Sequence, residues 1–263
     1  MKLPPNQIYL FSDIGLNALK TFVDASTLFV FDLDGTLAAI VENPQQIEIS
    51  TAIKKELAVL KTHAALAILT GRSREDAQRH LRLVPDYLVG NHGAEGLPGW
   101  EERLDEFRSQ VAGWERQLFA LLPAPAGAGT GIFIENKGAS LSIHYRGALD
   151  QASSHKLVLC AVDQLEPRPR SMSGIFTVNL LPEAAPDKGR AIIELMRRGG
   201  HPKGFFAGDD VTDEDVFRLK ADKLFSVRIG VKRESEALYY LKSQQEMLVL
   251  LRQINAVLRS LQK

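Results

Sequence analysis

Leu28-Phe29-Val30-Phe31-Asp32-Leu33-Asp34-Gly35-Thr36-Leu37 is the stretch on which the fold of this 263-residue chain turns. Its first four residues have the length and composition of a central parallel strand covered on both faces. The strand carries Asp32 to its carboxyl end, Asp34 follows one residue later, and Gly35-Thr36 turn the chain. In open α/β sheets that edge is where ligands bind. Two acids so placed repel each other and lose hydration unless a cation or donor compensates. A loop-capping aspartate before an ordinary turn is the plainer reading. It leaves the whole D-x-D-G-T-L string after a strand unaccounted for.

Outward from this stretch the pattern alternates. Ser12 is placed to cap a helix over 12–25 with Leu16, Leu19, Phe22 and Val23 on its apolar face. Ser50 caps a helix through 62 with Ile53, Leu57 and Leu60 inward. A strand over 65–69 follows, then a helix to 81 opened by the pair Ser73 and Asp76, then a strand over 87–90. This βαβαβ order predicts a parallel sheet with right-handed crossovers. From about residue 99 the pattern changes. A helix over 100–122 runs into a Pro/Gly/Ala stretch at 123–131. Strands over 132–135 and 139–145 are joined through the turn Asn136-Lys137-Gly138, and a helix over 150–165 and a strand over 174–181 complete the insert. After residue 186 the first pattern resumes. Asp187 caps a helix over 188–198, a strand over 203–207 ends at Gly208-Asp209-Asp210, and a short helix spans 212–219. A strand over 224–229 and helices over 234–241 and 244–261 close the chain. The expected fold class is α/β: a discontinuous parallel-sheet core (25–98 and 182–263), a smaller α+β cap inserted after the third strand (99–181), and an N-terminal extension (1–24).

Composition narrows the function. Lys plus Arg and Asp plus Glu both number 32, and a formal charge of zero weighs against a nucleic-acid partner. The single cysteine, Cys160, excludes a disulfide within the chain and fits a reducing compartment. Its apolar helical surroundings point to a buried thiol. No apolar run approaches the ~20 residues a membrane span needs, and Met1-Lys2-Leu3-Pro4-Pro5 lacks a signal-peptide core. A cytoplasmic protein with no membrane partner is expected.

Carboxylates so placed need compensating positive charge or donors from elsewhere in the chain. Thr70, at the end of the 65–69 strand, and the Gly71 amide can donate to an anionic ligand's oxygen at a helix start. Lys188 opens a helix, where the helix dipole disfavours it. Gly208-Asp209-Asp210-Val211-Thr212-Asp213-Glu214-Asp215 puts five acids in eight residues beyond another apolar strand. Helix-start acids explain its second half but not Asp209 and Asp210. Mg²⁺ prefers such a site, with few carboxylates, several waters and phosphate oxygens.

In this order the four segments resemble the four motifs of the haloacid dehalogenase-like phosphatases. The resemblance implies that Asp32 attacks phosphorus and forms an aspartyl-phosphate. Asp34 would protonate the leaving oxygen and then activate water. Asp32, the Asp34 carbonyl and Asp209 would bind Mg²⁺, with Asp213 holding a coordinated water or supporting the site. Thr70 and Lys188 would bind the phosphoryl group, Lys188 also neutralising Asp32. Within the insert, Ile134-Glu135-Asn136-Lys137-Gly138 and His144-Tyr145-Arg146 resemble the E-x-K…H-Y-R segment of the trehalose-6-phosphate phosphatases. Thr70-Gly71-Arg72, Asn91-His92-Gly93-Ala94-Glu95 and the Asp209 segment are similar to that family too, over residues 28–230. The implied substrate is trehalose 6-phosphate, contacted by Gly71, Arg72, Asn91, His92, Glu135, Lys137, His144 and Arg146. Glu135 and Lys137 share one face near a hairpin turn and can accept from and donate to sugar hydroxyls. A cross-strand ion pair on a solvated surface explains them equally well. His92 also reads as a turn histidine, and His144 and Arg146 as structural residues. Asn179 and Leu181 stand where the family has Glu and Arg. A phosphatase for sucrose 6-phosphate or mannosyl-3-phosphoglycerate would share the core motifs, and a sugar-phosphate sensor is the non-enzyme alternative. Whether a trehalose-6-phosphate synthase binds the chain is left open.

Overall fold

The computed structural model describes residues 7–41, 43–122, 130–174, 176–219, 222–232 and 234–261. The chain divides into two units, one formed by the chain up to Pro98 and from Asp187 onward, the other by Gly99–Pro186. The Pro/Gly/Ala stretch expected at 123–131 lies mostly outside the described residues.

The first unit opens with β1 (Ile8–Tyr9), α1 (Asp13–Phe22) and β2 (Thr27–Phe31), followed by α2 (Thr51–Lys61), β3 (Leu66–Leu69), α3 (Arg74–Leu81) and β4 (Tyr87–Val89). Local chemistry sets these boundaries. Ser12, Ser50 and Ser73 accept from the Gly15, Ile53 and Asp76 amides at 3.2, 3.3 and 3.3 Å. Each such cap contributes about 1 kcal/mol.

The second unit holds α4 (Leu104–Leu121), the hairpin β5 (Phe133–Asn136) and β6 (Leu141–His144), α5 (Gln151–Val162), β7 (Arg170–Gly174) and β8 (Thr177–Leu181). Its strands form an antiparallel sheet in the order β5-β6-β8-β7. Ile134, Ile143, Val178, Leu141 and Leu180 share one face by register and pack in one core with Val111, Trp114 and Leu118 of α4 and Val158 and Val162 of α5. Glu135, Ser142, His144 and Asn179 alternate onto the opposite face. The β7 strand, Arg-Ser-Met-Ser-Gly, was not expected: it lacks an apolar alternation because it is an edge strand of mixed exposure. Cys160 corrects a second expectation. It is exposed, because α5 turns Val158, Ala161 and Val162 inward instead.

The first unit resumes with α6 (Lys188–Gly199), β9 (Lys203–Gly208), α7 (Glu214–Phe217), β10 (Leu224–Ile229), β11 (Tyr239–Leu241) and α8 (Met247–Ser260). Asp187 caps α6 by accepting from the Arg190 amide at 2.7 Å. The helix expected over 234–241 is absent. Tyr239–Leu241 is instead a strand, because β-forming tyrosines find β1 on one side and β10 on the other. The segment read as an N-terminal extension supplies β1 to the same sheet, with Ile8 and Leu10 donating to Leu238 and Tyr240 carbonyls at 2.9 and 3.0 Å.

Among the described residues the larger sheet has seven strands, all parallel, in the order β1-β11-β10-β9-β2-β3-β4. Burial of Leu28, Phe29, Val30 and Phe31 is complete, as a central strand requires. Phe29 and Phe31 meet Phe205 at ring distances of 5.6 and 5.9 Å, and Phe205 stacks on Phe225 at 5.7 Å. β9 and β3 flank β2, so the chain leaves β2 to one side and returns on the other. That reversal marks the ligand-binding point of open parallel sheets.

Candidate active site

Asp32 lies one residue beyond β2, and its amide donates to the Ala207 carbonyl of β9 at 3.0 Å. Asp209 lies one residue beyond β9. The ladder therefore brings the two acids to neighbouring strand ends. Carboxylate oxygens of Asp32, Asp209 and Asp213 fall within 4.8 Å of one another. Lys188, only 2% exposed, donates to Asp32 Oδ1 and Asp213 Oδ1, both at 2.7 Å. Its place at the first position of α6 is thus explained by its partners rather than by the helix. Asp213 Oδ2 accepts the Asp210 amide at 2.9 Å, so this buried carboxylate is held at both oxygens.

One ammonium does not balance three carboxylates. Burial first, then repulsion from Asp213 and Asp209, raises the Asp32 carboxyl, although Lys188 pulls it down. Burial, Asp213 and Asp210 push Asp209 up to about 7. Burial alone would lower Lys188, but Asp213 and Asp32 hold it charged well above the usual lysine range. The residual negative charge is of the kind a divalent cation neutralises.

Two neighbours complete the cradle and were not singled out from the sequence. Thr36 donates to Asp209 Oδ1 at 3.2 Å. Gly35 has a φ of +82°, and a Cβ there would run into the Asp209 carboxylate. Both lie within the D-x-D-G-T-L string, whose Gly and Thr now have a packing reason.

Asp34 turns to a different partner. Arg72 grips it through two parallel bonds, Nε to Oδ2 at 2.7 Å and Nη2 to Oδ1 at 2.6 Å. The same guanidinium donates to Asp76 Oδ2 at 2.5 Å and the Pro44 carbonyl at 2.6 Å. Burial opposes its charge, and the bonds to Asp34 and Asp76 more than restore it. Arg72, expected to contact substrate, is placed here on Asp34.

Thr70 is buried beyond β3, and its hydroxyl accepts the Arg72 amide at 3.2 Å. Asn91 and His92 brace this loop from β4. Their amides donate to the Arg72 and Thr70 carbonyls at 2.7 and 2.9 Å. Both take positive φ, 49° and 56°, a costly conformation for such residues that clusters at functional sites. The His92 ring lies where a Cβ on Gly71 would stand.

The remaining expected residues belong to the second unit. Glu135 accepts from His144 Nε2 at 2.8 Å and lies 3.7 Å from the Lys137 ammonium. Lys137 sits in the turn, its amide closing the hairpin on the Ser140 carbonyl at 2.9 Å. Arg146 is exposed beyond the end of β6, its guanidinium 5.5 Å from the Phe176 ring centre. Asn179 accepts from the Ser142 hydroxyl at 2.6 Å on the same face as Glu135.

With this arrangement in hand, the sequence profile of the trehalose-phosphatase family matches residues 30–245. The chain belongs to the trehalose-phosphatase family. A probable trehalose-phosphate phosphatase of Sinorhizobium fredii is 33% identical over 225 residues, 82% of each chain. A trehalose-phosphate phosphatase of Mycobacterium bovis is 28% identical over 71% of this chain, which spans about half (49%) of that relative's length. Among solved structures, a trehalose-6-phosphate phosphatase related protein superposes with a TM-score of 0.70 at 23% identity, covering 90% of this chain and all (100%) of the other. A haloacid dehalogenase-like hydrolase from Bacteroides thetaiotaomicron gives 0.61 at 16% identity, over 87% and 99% of the two chains. The fold of this family member is haloacid dehalogenase-like, and the chain is a phosphatase by family. No helix among the described residues is long and apolar enough to cross a membrane.

Proposed function

We propose that this family member hydrolyses trehalose 6-phosphate to trehalose and phosphate through an aspartyl-phosphate on Asp32. The observation that carries the reading is the cluster of Asp32, Asp209 and Asp213 beyond the ends of β2 and β9 with Lys188 of α6, buried except for a half-buried Asp209. Its donors are carboxylate oxygens, few in number and short of positive charge, which suits Mg²⁺. Asp32, Asp209 and the Asp34 carbonyl would hold that ion, with Asp213 supporting the site. When bound, Mg²⁺ supplies charge neutralisation for the phosphoryl oxygens facing these carboxylates.

The chain's own groups do the rest. An Asp32 oxygen forms a bond to phosphorus as the bond from phosphorus to the sugar oxygen breaks. Asp34, protonated at this stage, gives its proton to the departing oxygen. It then takes a proton from water, which attacks the same phosphorus and frees phosphate and the Asp32 carboxylate. Lys188 holds Asp32 in place and offsets its charge. Thr70 and the Gly71 amide donate to phosphoryl oxygens. Asn91 and His92 keep that loop in shape through the backbone bonds described above. The sugar hydroxyls are assigned to Glu135 and Lys137, with His144 orienting Glu135 and Arg146 the outlying member of the group. Asn179 offers a neutral amide on the same sheet face as Glu135. Formation of trehalose in this way places the chain in trehalose biosynthesis.

The test is phosphate release from trehalose 6-phosphate, sucrose 6-phosphate, mannosyl-3-phosphoglycerate and glucose 6-phosphate, with Mg²⁺ and after exhaustive chelation. The expected outcome is preference for trehalose 6-phosphate and loss of all turnover on chelation. Preference for another ester would reassign the substrate, and turnover without metal would refute the cation site.

A further inference from the structure

Arg228 is the one charged residue of β10, next to last in a strand whose other residues apart from Ser226 are apolar, and it is paired in register with Gly208 at the end of β9. It is 6% exposed, and a buried guanidinium is costly unless its hydrogens are well used. Nη1 donates to Glu214 Oε1 at 3.1 Å and to the Asp210 carbonyl at 3.3 Å, and Nη2 donates to the Asp209 carbonyl. One planar cation therefore clamps two successive peptide groups of the loop that leaves β9. Glu214, 4% exposed, fixes the clamp: its second oxygen accepts the Glu236 amide at 3.0 Å.

The clamp acts on the residue that matters most to a cation. Asp209 is bounded on its carboxylate side by the Thr36 hydroxyl and the bare Cα of Gly35, and on its carbonyl side by Arg228. With both ends fixed, the carboxylate is held near Asp32 rather than left to relax away from its like-charged neighbours. Core packing alone would be met by an apolar side chain at this strand position. Lysine offers a point charge and cannot span two carbonyls and a carboxylate in one plane.

We propose that Arg228 is a positioning residue for the divalent-cation site, setting the Asp209 carboxylate by holding the Asp209 and Asp210 carbonyls, with Glu214 locking the guanidinium. This rests on the cation site assigned above. Arg228 itself touches neither substrate nor ion.

The experiment titrates Mn²⁺ into the full chain and follows the free-ion electron paramagnetic resonance signal, with thermal unfolding recorded on the metal-free protein. Arg228→Lys should fold and bind Mn²⁺ roughly 10–100-fold more weakly than wild type, the loss typical of removing a group that orients a ligand. A folded Arg228→Lys with wild-type Mn²⁺ affinity overturns the proposal and leaves the cation site standing. A wild type that binds no Mn²⁺ refutes the cation site and the proposal together. If Arg228→Lys does not fold, Glu214→Gln decides: it keeps the shape and the guanidinium but removes the charge that holds it. Weakened Mn²⁺ binding in that variant supports the proposal, and unchanged binding overturns it. Failure of both variants to fold also overturns it, assigning the pair to stability alone.

Discussion

Asp34 and Asp32 are two residues apart and live in different electrostatic worlds. Asp32 is buried against an ammonium and two further carboxylates. Asp34 is partly open to solvent and gripped by Arg72 through both oxygens. The first environment suits a nucleophile that a cation and Lys188 must tame. The second leaves Asp34 open to solvent on one side, and the proposed acid–base role requires Arg72 to release one of its oxygens, because a carboxylate held at both has no free site for the proton. If that division is right, Asp34→Asn lowers turnover by roughly 10²–10⁴-fold, the usual worth of a general acid–base group. Mn²⁺ binding should stay near wild type, because the proposal gives the cation the Asp34 carbonyl and not its carboxylate, while the unfolding midpoint should fall somewhat, because Asn keeps only one acceptor for the Arg72 fork. Near-normal turnover in that variant would remove Asp34 from the acid–base role.

At the scale of elements, the two-residue strand β1 shows how a marginal piece is kept in place. Two residues offer little ladder, so side chains add to it. The Tyr9 hydroxyl donates to Glu246 Oε1 at 2.7 Å, and the Lys242 ammonium lies 4.3 Å from the Tyr9 ring centre. Burial first, then the bond to Glu246, pushes the phenol from 10.0 up to about 12. A raised folded-state value means the neutral phenol is favoured in the folded chain. The contribution is therefore complete below about 10 and lost as pH rises toward about 12. Tyr9→Phe should cost about 1 kcal/mol in urea unfolding near neutral pH, the net worth of one hydrogen bond. The difference from wild type should shrink steadily once the solution is alkaline enough to ionise a free phenol. A constant difference at all pH values would mean that packing, not the hydroxyl, ties β1 to the sheet.

At the scale of the whole molecule, the proposed function assigns phosphate chemistry and sugar recognition to different units of the chain. The core carboxylates would act on any phosphate ester, so specificity is assigned to Glu135 and Lys137 of the second unit. Glu135→Ala and Lys137→Ala should each lower kcat/KM for trehalose 6-phosphate by roughly 10–100-fold, from about 1.5–3 kcal/mol per charge-assisted hydrogen bond lost. Hydrolysis of p-nitrophenyl phosphate should fall far less, because that ester carries no sugar. Equal losses on both substrates would reduce the pair to a surface ion pair next to His144.

What the sequence determined by itself was local or strictly periodic. The apolar run ending at Asp32 declared a central strand because it is too short for a buried helix and breaks at once into acids and a turn, as a strand covered on both faces does. Ser12, Ser50, Ser73 and Asp187 marked helix starts because their side chains cap amides three residues on. The order of Asp32, Thr70, Lys188 and Asp209, each after a strand or at a helix start, pointed to the chemistry through its resemblance to the four motifs of the haloacid dehalogenase-like phosphatases. Contacts between residues far apart in the chain were decided only in three dimensions. Tyr239–Leu241 became a strand, not part of a helix, because two neighbouring strands had amides and carbonyls to satisfy. The first residues described joined the sheet for the same reason. Arg72 turned to Asp34, and Arg228 to the Asp209 loop, because a guanidinium reaches across strands, and its partner depends on which strand ends the fold sets side by side.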